Sequence, residues 1–258
     1  MPNIEILSSP VGAVIYQPKI ALKGGVVLLH GSEGGSAKWI DVIAVLLAAN
    51  GFVAMPKPYN KANALLTRPD LKDIPLEGTE DALSYMKKLM NSYGLKVGLL
   101  GVSRGAEQAL LISQLLAEEG SPAIPDALAV HAPTSKIKPA FILADYQPGL
   151  HQFLRKFDRL IGQGKQQPAW RWRNSHRDVL PNANIKIEKY PNAVLLTHGI
   201  EDRIWNVEES RILAKSRHQR NLPTEVHYFA GEGHSLGITA RNLWLEILDD
   251  FFTRHLKN

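Results

Sequence analysis

Short apolar runs bounded by glycine or proline recur along the chain, and each is followed by a stretch whose apolar positions return every three or four residues. Residues 24–31, 52–56, 96–102, 126–131 and 193–199 are apolar at nearly every position. Such runs suit strands buried on both faces, as in a parallel sheet. After the first run, Trp39, Ile40, Ile43 and Leu47 share one helical face, with Ser36 as the expected N-cap and Asn50-Gly51 as the stop. Further helices are predicted from about Thr79 to Tyr93, from Ala106 to a stop at Gly120, from Val207 behind an Asn206 cap, and from about 239 to 255. Residues 3–7 and 11–17 alternate loosely and predict an opening hairpin, and 224–229 reads as the last strand. Strands alternating with helices predict an α/β fold, a mostly parallel central sheet with helices on both faces. The rhythm breaks between about 134 and 190, a stretch of prolines and aromatics. That break is expected to be a cap inserted over the carboxyl end of the sheet, within one domain spanning 1–258.

The most informative junction is the run Val97–Val102 followed by Ser103, Arg104 and the third helix. Gly101 and Gly105 flank it in a Gly-x-Ser-x-Gly pattern. Two residues without Cβ let strand and helix approach closely, while the serine between them is held in a strained conformation with its hydroxyl exposed. Serine is a poor nucleophile alone and needs a base, which in turn needs an orienting acid. His234, in the glycine-flanked loop after the last strand, is the candidate base, and Asp202, just past the 193–199 strand, is the candidate acid, with Glu201 as competitor. The other eight histidines read mostly as structural or exposed. The chain order Ser, Asp, His is that of α/β-hydrolases. An acyl-transfer site also needs donors for a developing oxyanion. The N–H of Arg104 is one expectation and that of Ser32 the other, with Glu33 as runner-up, in the Gly-rich turn after the first buried strand.

At 258 residues, 45% apolar and 21% charged, the chain is long enough for one large globular core. It has no cysteine, which excludes disulfides, thiol catalysis and Cys-ligated metals. No apolar stretch approaches a membrane span and the first residues carry no secretory pattern, so a cytoplasmic enzyme without membrane partner or cofactor is expected. The net charge is +5, yet residues 135–190 alone carry eleven Lys/Arg against four Asp/Glu. Nucleic-acid binding is not expected, because no reading helix or base-stacking motif accompanies that charge. Within it, Trp170-Arg171-Trp172-Arg173 interleaves cations with aromatics. Together with Glu33 these are candidate substrate contacts, the arginines for an anionic group and the tryptophans for an apolar or aromatic one. The bland alternative is a solvated face on a packed underside.

The chain resembles the α/β-hydrolase superfamily over most of its length. More narrowly it resembles the C-terminal domain of the acyl-CoA thioesterase/bile acid acyltransferase family, which is dienelactone-hydrolase-like. The likeness lies in Gly101-Val102-Ser103-Arg104-Gly105-Ala106-Glu107, in Ile185 to Lys189 before Ala193–Leu196, in Glu201–Trp205 and in Gly233-His234. The longer members carry an N-terminal β-sandwich, which this chain is expected to lack. Acyltransferase members typically use cysteine as nucleophile, so Ser103 implies hydrolysis by water. The resemblance thus implies a cofactor-free serine esterase or thioesterase acting on a small acyl ester or thioester. A catalytically retired binding protein, or an acyltransferase, is the alternative. Acyl group, leaving group and oligomeric state are left open.

Overall fold

The computed structural model describes residues 3–35, 38–60, 70–141 and 166–257. Its strands are β1 (Ile4–Ser8), β2 (Val14–Pro18), β3 (Gly24–Leu29), β4 (Phe52–Pro56), β5 (Ile74–Pro75), β6 (Val97–Val102), β7 (Ala127–His131), β8 (Trp170–Arg171), β9 (Ala193–Gly199) and β10 (Thr224–Phe229). The helices are α1 (Trp39–Ala49), α2 (Glu77–Asn91), α3 (Arg104–Glu119), α4 (Glu208–His218) and α5 (Ile238–Leu256). Eight strands form one sheet in the order β1-β2-β4-β3-β6-β7-β9-β10. The opening pairs β1–β2 and β2–β4 are antiparallel, and from β4 to β10 all neighbours are parallel.

Two apolar cores sandwich this sheet. On one face Ile40, Ile43 and Leu47 of α1 meet Trp244, Leu248, Phe251 and Phe252 of α5. On the other, Leu83 and Met86 of α2 pack with Leu110 of α3 and Leu213 of α4. The sheet residues sort accordingly: Val27 and Leu29 face the second core, Val26 and Leu28 the first. This is the period-two alternation of a strand, with both sides buried.

Local chemistry accounts for the element ends. Gly120 closes α3 in the left-handed conformation at φ 64°, and Asn206 Oδ1 accepts the Glu208 N–H (2.9 Å) where α4 starts. Lys38, itself left-handed, precedes α1; the expected Ser36 cap lies outside the described residues. The two-stranded pairing of β5 with β8 was not foreseen, since a two-residue strand carries no periodicity.

Where the 134–190 segment returns to the sheet, one buried cation gathers the chain. Arg217 of α4 is fully buried and donates to the carbonyls of Ile187 (2.9 Å), Tyr190 (2.7 Å), Asn192 (2.7 Å) and Pro223 (3.1 Å), and to Thr224 Oγ1 (2.9 Å). The carbonyls of Ile187 and Pro223 also accept backbone amides, and the guanidinium takes up the remaining acceptor capacity of this buried junction in place of water. Arg217→Met should therefore lower unfolding free energy by about 3 kcal/mol or more in urea titrations, because several buried acceptors lose their donor at once. Arg217→Lys, with three donors on a flexible stem, should recover only part of it.

Candidate active site

The register of the parallel strands sets the site's position. Val102 pairs with His131, His131 with Thr197, and Gly199 with Phe229, so the carboxyl ends of β6, β7, β9 and β10 lie side by side. Ser103 follows directly on β6 with φ 55° and ψ −121°. For a residue with a side chain this backbone costs about 1–3 kcal/mol and persists only where its surroundings impose it. They do so here through contact. A Cβ on Gly101 would lie 2.3 Å from the Gly105 carbonyl oxygen, and one on Gly105 would lie 2.3 Å from that of His30. Strand, helix and the end of β3 touch backbone to backbone, and Ser103 is the hinge that closure leaves.

The structure brings Ser103, His234 and Asp202 together. His234 Nε2 lies 2.8 Å from Ser103 Oγ, and His234 Nδ1 lies 2.6 Å from Asp202 Oδ2. A carboxylate can only accept, so Nδ1 carries the proton and Nε2 is left to accept from the serine hydroxyl. Asp202 Oδ1 accepts the amides of Ile204 (2.7 Å) and Trp205 (3.0 Å). Its Oδ2 also receives His198 Nε2 at 3.0 Å. Burial pushes the Asp202 carboxyl up, but the donors from His198, His234 and the two amides outweigh it and hold it well below the usual carboxylate range. Glu201, the competing acid, is exposed on the same turn, with its amide bonded to the Glu232 carbonyl (2.9 Å).

His198 is a member of this network that the sequence did not single out. It is fully buried, with Nδ1 2.7 Å from Ser210 Oγ and Nε2 shared between Asp202 and the Trp205 carbonyl (2.8 Å). Both neighbours of Nε2 accept, so that nitrogen bears hydrogen and Ser210 donates to Nδ1. Its position four residues before Asp202 was the available signal.

Arg104 opens α3, whose first amides have no intrahelical acceptor, and Ser32 lies half-buried in the turn that follows β3. A Cβ on Gly31 would sit 3.4 Å from Ser103 Cβ, so that turn abuts the serine. Glu33 folds back within it, its Oε1 accepting the Gly31 N–H (2.8 Å) and the indole N–H of Trp39. Tyr59 fixes the turn from below, its hydroxyl donating to the His30 and Gly31 carbonyls (2.9 and 3.0 Å) and its ring stacked on His30 at 4.1 Å.

Trp170, Arg171, Trp172 and Arg173, the candidate substrate contacts of the 134–190 segment, are each engaged by acids of the fold. Trp170 is fully buried and donates to Glu107 Oε1 (2.7 Å); Trp172 is buried and donates to Glu119 Oε1 (2.8 Å). Arg173 pairs with Glu80 (2.6 Å) and Glu119 (2.7 Å). Glu119 ends the 16-residue α3 that begins beside Ser103. At 1.5 Å per residue this puts Arg173 roughly 20 Å down the helix from the serine. Arg171 faces Asp73 at 3.7 Å. The physical reason is pairing: Asp73 faces Arg171, and Glu80 of α2 and Glu119 of α3 hold Arg173. Glu107 anchors the same layer, binding Arg104 (2.7 Å), the Lys138 amide (3.0 Å) and Trp170. Residues 142–165 of the expected cap lie outside the described residues. Among the described residues no cluster of three or more His, Asp or Glu could hold a metal, and no helix is long and apolar enough to cross a membrane.

Beneath the site, His131 is buried with Nδ1 3.0 Å from Thr197 Oγ1. Burial, and then the nearby His198 and His234, push its imidazole down to about 3. The unfolded chain therefore takes up a proton near pH 6.5 that the folded chain refuses, and this stability is complete above that pH and lost as pH falls toward 3. His131→Gln should reduce the slope of unfolding free energy against pH by about 1.4 kcal/mol per unit between roughly pH 6 and 4.5. In the intact protein the His131 ring resonances should not titrate in that range.

Residues 74–240 match the family described as BAAT / acyl-CoA thioester hydrolase C terminal. Mouse acyl-coenzyme A thioesterase 5 is 32% identical over 220 residues, 79% of this chain and 47% of that protein. Mouse acyl-coenzyme A thioesterase 6 is 26% identical over 218 residues, 82% of this chain and 48% of that protein. The chain thus spans about half the length of the curated relatives it matches. Among solved structures, carboxyl esterase 2 of Tuber melanosporum superposes with a TM-score of 0.65 at 15% identity, covering 99% of this chain and 86% of that one. An esterase of Pyrobaculum calidifontis does so with a TM-score of 0.62 at 14% identity, over 98% and 85%. Those superpositions and the strand order show the α/β-hydrolase fold. With the match across the elbow, the acid turn and the His234 loop, the chain belongs to the BAAT / acyl-CoA thioester hydrolase C-terminal family.

Proposed function

We propose that the protein is a serine hydrolase that cleaves an ester or thioester through an acyl-enzyme, in one domain whose 134–190 insertion borders the site. The observation that carries this reading is the hydrogen-bonded line Ser103–His234–Asp202, 2.8 and 2.6 Å, at the strand ends. In the proposed reaction Ser103 Oγ attacks the acyl carbonyl while His234 Nε2 takes its proton. The amides of Arg104 and Ser32 are the candidate donors to the oxyanion. His234 then protonates the departing alkoxide or thiolate, and water activated by the same nitrogen releases the acid. Asp202 holds the imidazole in the tautomer with Nδ1 protonated.

Ile204 beside Trp205 on the acid turn and Ile238, four residues past His234, are exposed apolar side chains in the chain segments that carry Asp202 and His234, and they are the candidate apolar rim of the site. Trp205 meets the His234 ring edge-on at 5.8 Å. A fatty or otherwise apolar acyl group fits that rim by burying area from water. Acyl-CoA thioesters therefore stand beside simple carboxylic esters as the substrates to test.

A fluorophosphonate should label the intact protein at Ser103, and Ser103→Ala should abolish labelling and cut ester turnover by roughly 10⁴-fold while the fold survives. An unlabelled protein, or turnover untouched in Ser103→Ala, would leave a binding protein as the reading. His198 should act as a positioning residue through Asp202. His198→Phe removes one donor from the carboxylate, which becomes more basic and favours the imidazolium more strongly. The acid limb of the kcat/KM profile should then move to higher pH, with kcat reduced about tenfold or more and KM little changed. A variant with an unshifted profile would make His198 a packing residue only.

A further inference from the structure

The turn that borders Ser103 carries a carboxylate where the proposed chemistry builds negative charge. The position that a Gly31 Cβ would occupy lies 2.5 Å from Glu33 Oε2 and 3.4 Å from Ser103 Cβ. The Glu33 carboxylate is thus no more than about 6 Å from the serine. Its Oε1 is held by the Gly31 amide and the Trp39 indole, while Oε2 accepts no hydrogen bond among the described residues. Both holding groups are neutral donors, so they fix the carboxylate without cancelling its charge.

Among the described residues, Arg104, Lys138, Arg171 and Arg173 are paired with acids other than Glu33. Arg104, the nearest in sequence to the serine, is buried in its ion pair with Glu107 and bonds the Lys138 and Pro139 carbonyls. Lys138 pairs with Glu209 at 3.1 Å, and Arg171 and Arg173 are spent on Asp73, Glu80 and Glu119. Among the described residues none of these cations forms an ion pair with Glu33. Among the described residues, the charge carried on this turn is therefore the Glu33 carboxylate.

We propose that Glu33 is a specificity-determining residue that selects against acyl groups bearing an anion within a few bonds of the scissile carbonyl, and favours neutral or cationic ones. This rests on the hydrolase reading above. The acyl group stays on Ser103 through both half-reactions, so its charge faces Glu33 in each transition state. Like charges several ångströms apart in a partly desolvated turn repel strongly enough to alter relative rates by roughly tenfold or more. Phosphates at the distant end of a coenzyme A leaving group lie far beyond this range and are screened.

The test compares kcat/KM for p-nitrophenyl butyrate, p-nitrophenyl hydrogen succinate and p-nitrophenyl 4-(trimethylammonio)butyrate in the intact protein, Glu33→Gln and Trp39→Phe, at low and high salt. Glu33→Gln keeps an acceptor for the Gly31 amide and removes only the charge. It should raise the succinate-to-butyrate ratio by roughly tenfold or more at low salt and lower the trimethylammonio-to-butyrate ratio, both effects shrinking as salt rises. Trp39→Phe, which keeps the charge, should leave the ratios close to those of the intact protein. A less than twofold change in the succinate-to-butyrate ratio with Glu33→Gln would overturn the proposal. The same selection can be read without turnover, from the binding of butyramide, succinamate and 4-(trimethylammonio)butyramide by amide shifts at Gly31 and Ser103. Failure of all hydrolysis would count against the hydrolase reading, whereas equal binding of the three amides by the intact protein and Glu33→Gln would count against the role of Glu33.

Discussion

Everything at this site depends on a backbone contact. Gly101 and Gly105 let β6, α3 and the end of β3 meet where any Cβ would collide with a carbonyl oxygen. The contact leaves Ser103 in a conformation that serine does not choose, and the strain is offset by the apolar core on both sides of the sheet. With this contact closed, the start of α3 and the turn after β3 both adjoin Ser103. The sheet register then delivers the His234 and Asp202 loops to it.

Three acids organise the groups around the serine. Asp202 is surrounded by two imidazoles and two amides, Glu107 by a guanidinium, an amide and an indole, and Glu33 by an amide and an indole. The buried carboxylates of Asp202 and Glu107 persist because their lone pairs are used, Glu33 is half-buried, and each of the three fixes a different segment. Asp202 fixes the His234 ring, Glu107 ties the start of the 134–190 segment to α3, and Glu33 shapes the turn beside Ser103. The Asp202 carboxylate stays ionised because hydrogen bonds outweigh the desolvation that burial imposes.

Charge counted along the chain and charge placed in space lead to different pictures. The basic excess of residues 135–190 suggests a cationic lid. In the fold, Lys138, Arg171 and Arg173 find Glu209, Asp73, Glu80 and Glu119, and among the described residues the Glu33 carboxylate stands in the turn beside the serine. The distribution that bears on a substrate is the residue of these pairings.

The strands of the main sheet, the five helices and the turn at Ser103 are legible in the sequence, whereas the short β5–β8 pair is not. Period-two and 3.6-residue patterns, helix stops such as Gly120 and a Gly-x-Ser-x-Gly turn are written within a dozen residues, where backbone sterics act. It also supplied Ser103, Asp202 and His234 as candidates, because strand ends in a parallel sheet are where loops project. Only the tertiary structure decided that Asp202 and not Glu201 faces the histidine, since neighbours on one turn point in different directions. Tertiary structure likewise put His198 behind the acid, buried Trp170 on Glu107 across 63 positions, and carried Arg173 to the far end of α3. These contacts join segments remote in the chain. Their partners are set by strand register and helix packing, which no local pattern encodes.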